Sequence, residues 1–106
     1  MSYRYMRVIV MFDLPVTSSG DIREYNKFRK YLLKSGFMMM QESIYCKLSQ
    51  NQVAADCVVE NIKKNKPPKG LVQVMKITEK QFARIECIVG ENVSEIIDSD
   101  ESLVFL

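Results

Sequence analysis

The chain has 106 residues, 47% of them hydrophobic, and a net charge of +2, enough for one domain with its own core and small enough that oligomerisation would help it considerably. It lacks any run of about 18 apolar residues, and its N-terminal apolar segment ends in Asp13-Leu14-Pro15 and not in a cleavage site, which argues against a membrane or exported protein and points to the cytoplasm. With no histidine and no Cys-x-x-Cys spacing, Cys46, Cys57 and Cys87 read as small core residues in a reducing compartment, not as zinc ligands or disulfide partners.

Met6-Arg7-Val8-Ile9-Val10-Met11-Phe12 is apolar and rich in β-branched residues, the pattern of a buried strand, and Pro15 stops it. Asp13 therefore stands at the mouth of a sheet. A carboxylate there can take Mg²⁺, which prefers oxygen ligands and keeps several waters. A twofold axis would improve the site by adding the same residue from a second copy. The alternative is that Asp13 only ends the strand and accepts hydrogen bonds in the turn.

After a polar loop, Ser18 and Asp21 have the spacing of a capping box with Asp in place of Glu or Gln, so a helix is predicted from near Asp21. Ile22, Tyr25, Phe28 or Arg29, Leu32 and Leu33 recur at helical spacing, and Gly36 supplies the stop. The opposite stripe, Arg23, Lys27, Lys30 and Lys34, shares one face and suits either a phosphate backbone or plain solvent. Residues 37–41 and 43–48 read as a hairpin turning near Glu42, with its methionines as core filler.

Ser49 is the predicted cap of a second helix from Gln50 to Asn65, with Val53, Cys57, Val58 and Ile62 facing inward and Pro67-Pro68 ending it. Lys63, Lys64 and Lys66 lie at the negative end of its dipole, a sufficient structural reason for them. Leu71 to Ile77 is a fourth strand, Thr78 to Phe82 a turn, and Ala83 to Val89 a candidate fifth strand. Gly90 to Ser102 reads as an acidic loop. The apolar end, Leu103 to Leu106, would add as a strand to a sheet edge of its own chain or of a partner.

Charge is divided unevenly along this order. Residues 1–80 carry 14 Lys or Arg against 7 Asp or Glu, whereas residues 81–106 carry one against six. A basic body favours a polyanionic partner, from which the acidic segment 86–101 would be held away or turned toward another protein. The order strand, helix, strand, strand, helix, strand is that of an α+β, ferredoxin-like βαββαβ fold with an extra C-terminal strand. Residues 1–82 would form its core, and 83–106 the C-terminal strand and acidic tail of the same domain.

Four motifs follow one another between residues 7 and 82. They are Phe12-Asp13-Leu14 at a strand end, Leu32-Leu33-Lys34-Ser35-Gly36-Phe37 closing a basic helix, Gln41-Glu42-Ser43-Ile44-Tyr45, and Lys76-Ile77-Thr78-Glu79-Lys80-Gln81-Phe82. Together they resemble the small CRISPR-associated adaptation protein numbered second in its series. The ending Asp100-Glu101-Ser102-Leu103-Val104-Phe105-Leu106 is similar to the subgroup that accompanies a single large RNA-guided nuclease, the type II systems.

The resemblance implies a homodimer whose C-terminal strands extend the partner's sheet, working with the CRISPR integrase subunit and with duplex DNA during spacer acquisition. It implies that Asp13 pairs with its symmetry mate, binds Mg²⁺ and is the catalytic residue of an endonuclease acting on DNA or RNA, with Tyr45 as a neighbour of the active site. Arg23 and Lys27 fall in the family's basic stretch, and Lys30 and Lys34 continue it as nucleic-acid-binding residues. Two positions depart from the pattern. Met39 stands where some members carry arginine and Phe12 where tyrosine is frequent, which removes polar groups from beside Asp13. Glu42 qualifies as a general base if the hairpin returns beside the first strand. A different reading of the same element order is a ribonuclease toxin or a small RNA-binding or regulatory domain, although the aromatic, glycine-rich strand of RNA-recognition sheets is missing.

Overall fold

The computed structural model describes residues 5–90, and β1 (Met6–Asp13) lies at the middle of its sheet. Two strands, β3 (Ile44–Ser49) and β4 (Leu71–Thr78), pair antiparallel with β1, and β2 (Met38–Gln41) adds to β3, giving the order β2-β3-β1-β4. With α1 (Ser19–Lys34) after β1 and α2 (Gln52–Lys64) between β3 and β4, this is the predicted ferredoxin-like α+β arrangement. No helix among the described residues is long and apolar enough to cross a membrane.

Alternation along β1 sorts the molecule into two layers. Met6, Val8, Val10 and Phe12 form the core with Phe28 and Leu32 of α1 and Ala55 and Ile62 of α2. Phe12 is the aromatic hub: edge to face with Phe28 at 5.4 Å and with Tyr25 at 6.0 Å, and stacked on Tyr45 at 5.6 Å. Such pairs contribute about 0.5–1.5 kcal/mol each beyond their buried area. Arg7, Ile9, Met11 and Asp13 take the other face, where neither α1 nor α2 packs.

Both ends of α1 are built as the sequence implies. Ser18 Oγ accepts from Asp21 N–H at 3.0 Å, and the Asp21 carboxylate accepts from Ser18 N–H at 3.3 Å. Asp21 is thus the third helical residue and the helix starts at Ser19. At the other end Gly36, at φ 95°, closes a Schellman turn, with Phe37 N–H donating to Leu32 O at 3.0 Å and Gly36 N–H to Leu33 O at 3.2 Å. The Lys47 ammonium donates to the Ser35 carbonyl from β3.

Several expectations are corrected. Ser49 does not cap α2, because it is taken into the β1–β3 ladder opposite Met6. Asn51 caps instead, its side-chain oxygen accepting from Ala54 N–H at 2.8 Å, and the helix starts at Gln52. The inward face is Ala55, Val58, Val59 and Ile62, whereas Val53 and Cys57 are exposed. Ile22 and Leu33 of α1 are also exposed, and Phe28, not Arg29, fills the core. Cys46 is buried, but Cys57 and Cys87 lie at the surface as free thiols.

Thr78 to Phe82 is not a simple turn. Thr78 and Gln81 form a reciprocal capping box that starts a helical turn, α3 (Glu79–Phe82). The candidate fifth strand at 83–89 pairs with nothing among the described residues; strand-forming side chains need a sheet edge to pair with, and the single chain brings none to this segment. The acidic stretch from Glu91 and the apolar end Leu103–Leu106 lie outside the described residues.

The loop between α2 and β4 is pinned to the end of β1. Gly70 adopts φ 100°, and a Cβ on it would lie 2.7 Å from Leu14 Cδ2 and 2.9 Å from the Asp13 carbonyl, so only glycine allows this approach. Lys69 Nζ lies 3.2 Å from Asp21 Oδ1, and Thr17 Oγ1 donates to Asp21 Oδ2 at 3.0 Å. The Thr17 hydrogen bond, helped by Lys69 and by Ser18 N–H, holds the Asp21 carboxyl below its ordinary range against the opposing effect of burial. A carboxyl shifted down stabilises the fold fully above its unfolded pKa of about 3.9, and the stabilisation is lost as pH falls through the lower folded value. Asp21→Asn should therefore lower the urea midpoint at neutral pH and flatten the fall in stability as pH drops below the unfolded carboxyl pKa of about 3.9. Parallel acid limbs for variant and wild type would show that Asp21 is not the group responsible.

Candidate functional site

β1 delivers Asp13 to the end of the sheet, where it pairs in register with Leu71, the first residue of β4. Its side chain is exposed and makes no hydrogen bond or ion pair with the described residues, so the turn does not use it as an acceptor. By alternation it belongs to the open face of the sheet, with Arg7, Ile9 and Met11. The backbone beneath it is fixed on three sides. Phe12 N–H donates to Ser43 O at 3.1 Å, Gly70 packs on the Asp13 carbonyl, and the Phe12 ring is locked in the core.

The Phe12–Ser43 bond also answers the question of Glu42. The hairpin does return beside the first strand, and exposed Glu42, one residue before Ser43, is brought to the sheet end that carries Asp13. Among the described residues no three Asp, Glu, His or Cys side chains converge on a metal position. One chain therefore offers at this end one strand-borne hard oxygen donor, and a second copy would make two. Mg²⁺ is usually held by one or two carboxylates with waters and substrate phosphates filling the remaining positions, so the donor set fits that ion.

Tyr45 is placed elsewhere. It pairs with Val10 in register and is fully buried on the helix side, stacked on Phe12, and its hydroxyl has no hydrogen-bond partner among the described residues. The structure does not bring it to the Asp13 carboxylate. The same alternation revises the reading of Phe12 and Met39. Phe12 adjoins Asp13 in sequence but points into the core, and Met39 lies opposite Tyr45 in the ladder, so neither departure strips a polar group from Asp13's face.

The four basic residues of α1 are realised as a stripe. Arg23, Lys27, Lys30 and Lys34 are all exposed and form no ion pair with the described residues. They extend roughly 16 Å along the helix axis. Only Arg23 lies at the end of the molecule that carries Asp13, and the stripe is on the helix layer while Asp13 is on the sheet face.

One cluster was missed in the sequence. On the open face, at the end away from Asp13, the Arg7 guanidinium forks onto Glu79, with Nε to Oε1 at 2.6 Å and Nη2 to Oε2 at 3.0 Å. It also lies 4.3 Å from the centroid of the Phe82 ring and donates from Nη1 to Cys46 Sγ at 3.6 Å. The bond to Glu79 raises the Arg7 pKa, and burial pushes the Cys46 thiol up against the opposing pull of Arg7. Cys46 is a packed thiol, 4% exposed. The signal was a lone arginine inside an apolar strand, which requires a carboxylate or ring to receive it.

Comparison with known proteins shows the family. Residues 6–85 match the family model described as CRISPR associated protein Cas2. Proteins named CRISPR-associated endoribonuclease Cas2 from Treponema denticola, Streptococcus mutans and Ligilactobacillus salivarius are 54%, 45% and 38% identical to the chain over 101 residues each. These alignments cover 95% of the chain and 100%, 93% and 100% of the three proteins respectively. The matched span contains every described strand and helix and all the candidate residues from Asp13 to Tyr45, and on this evidence the chain belongs to the CRISPR-associated Cas2 family.

Proposed function

We propose that the protein is the homodimeric adaptation subunit of a type II CRISPR system, binding duplex DNA and bridging integrase dimers while new spacers are inserted. The observation that carries this reading is the open face of the sheet. Met38, Leu48, Leu71 and Met75 are between 37% and 54% exposed there, around the shielded pair Ile9 and Cys46. Monomeric proteins seldom leave so continuous an apolar surface to water. A second copy laid on this face about a twofold axis that passes near Asp13 would cover it and bring the two Asp13 residues together. Past α3, Ile85, Ile88 and Val89 are 44%, 84% and 89% exposed, as suits a segment that adds to a partner's sheet edge. The duplex would follow the α1 stripe, where sequence-independent phosphate contacts suffice for a scaffold.

A second reading is favoured by the exposed, unpartnered Asp13 and by the endoribonuclease names of the relatives. In it the same dimer is a Mg²⁺-dependent endonuclease acting on DNA or RNA. Bound Mg²⁺ would neutralise charge on the phosphodiester and lower the pKa of an attacking water. Paired Asp13 carboxylates would hold the ion, Glu42 would accept a proton from the attacking water, and Arg23 would orient the strand at the sheet end.

Charge reversal at Arg23, Lys27 and Lys30 should abolish salt-dependent duplex binding in an anisotropy titration, and undiminished binding would remove the stripe from the interface. Asp13→Asn should retain duplex binding and lose any Mg²⁺-dependent cleavage of duplex DNA or single-stranded RNA that the wild type shows. Equal cleavage by both proteins would exclude Asp13 as a catalytic ligand.

A further inference from the structure

α2 runs back to the sheet end that carries Asp13, because the chain that follows it must lead into Leu71, the register partner of Asp13. The last turn of the helix and the loop after it hold Lys63, Lys64, Lys66 and Lys69. Lys63 is engaged by Glu60 at 3.0 Å and Lys69 by Asp21 at 3.2 Å. Lys64 and Lys66 are exposed and have no hydrogen-bond or ion-pair partner among the described residues. The helix dipole accounts for Lys63 and Lys64, but its effect fades beyond the last turn, and Lys66 lies past the cap residue Asn65.

The loop that carries Lys66 is held in place. Pro67 and Pro68 have fixed φ and line a pocket with Leu14, Pro15, Tyr25, Lys69 and the carboxylates Asp21, which Lys69 pairs, and Glu24. Gly70 then packs against the Asp13 carbonyl and Leu14, and the Lys69–Asp21 pair joins the loop to the start of α1. A cation on a backbone already fixed in this way has less freedom to lose on binding than one on a loose segment. Across the β1–α1 turn, exposed Arg23 stands two residues beyond Asp21.

We infer that Lys64 and Lys66 form a phosphate-binding wall beside Asp13, so that a nucleic-acid backbone crosses the sheet end between this wall and Arg23. The inference rests on the nucleic-acid reading above and adds a second line of contacts to the α1 stripe. Each lysine that neutralises a phosphate of duplex DNA adds about 0.9 to the steepness with which log Kobs falls against log salt, and its loss weakens all sequences alike.

The test is an anisotropy titration across a salt series with the full-length protein, using a labelled duplex DNA and a labelled single-stranded RNA of equal length. The variants are Lys64→Ala/Lys66→Ala, Lys64→Arg/Lys66→Arg, and the charge reversal at Arg23, Lys27 and Lys30. On duplex DNA the alanine pair should flatten the salt slope by about 1.8 per chain, and somewhat less on a single strand. The arginine pair should restore it on whichever nucleic acid the wild type binds. An alanine pair that matches the wild type, while the α1 reversal weakens binding, overturns the wall and leaves the nucleic-acid reading standing. Weakening that arginine does not restore, in variants that keep the wild-type circular dichroism, also counts against the wall, because positive charge at these positions is then not what binds. Failure of the wild type to bind either probe overturns both.

Discussion

The two-residue period of β1 is the constraint on which the molecule depends. Successive side chains of a strand point to opposite faces, and a slip of one residue would exchange them all. β1 has no freedom to slip, since β4 pairs with it from Met6 through Asp13 and β3 from Met6 through Met11. The even residues are thereby committed to the helices and the odd ones to the open face. Phe12 becomes the centre of an aromatic cluster, and Asp13, one residue on, becomes an exposed carboxylate on a rigid support.

The forces on the two faces differ in kind. On the helix side, Val8, Val10, Phe28 and Leu32 are almost wholly buried, and burying a side chain of that size contributes about 1.5–3 kcal/mol. The surface pair Lys63–Glu60, with both side chains more than 60% exposed, contributes at most about 1 kcal/mol. Most of the apolar burial in the single chain is therefore on the helix side, with Ile9 and Cys46 as the buried pair on the other. The other side keeps apolar side chains in contact with water, among them Leu48, Leu71 and Met75, and the proposed dimer would cover them. As Asp13 is at one end of that side, Arg7 is the charged residue at the other. Its fork onto Glu79 and its place over Phe82 hold α3 at the far end of β4 from Asp13, and so fix where the chain leaves the sheet.

Much of this was legible because it is local. The capping box of Ser18 and Asp21, the Gly36 stop, the apolar run of β1 and the element order all follow from neighbouring residues, and each is found in the structure. The position of Asp13 at a strand end and of four exposed basic residues along α1 was legible for the same reason, whereas their roles rest on the proposal. What failed depends on distant partners. Ser49 looks like a cap until Met6 claims it for the sheet. Val53 and Cys57 look inward-facing until the small Ala55 proves to be the residue packed in the core. Ala83 to Val89 has the composition of a strand, but pairing needs an edge that no local pattern supplies. Family likeness implies Tyr45 as a neighbour of the active site, and strand alternation puts its side chain on the helix side of the sheet.

The central claim is that the open sheet face joins two copies and thereby pairs the Asp13 residues. Sedimentation velocity on the wild type and on a Leu48→Lys/Met75→Lys variant tests it most directly, because both side chains are exposed in the single chain and the change should leave its fold intact by circular dichroism. The account predicts a dimer for the wild type and a folded monomer for the variant. A wild type that stays monomeric at micromolar concentration, or a variant that dimerises as well as the wild type, would contradict it.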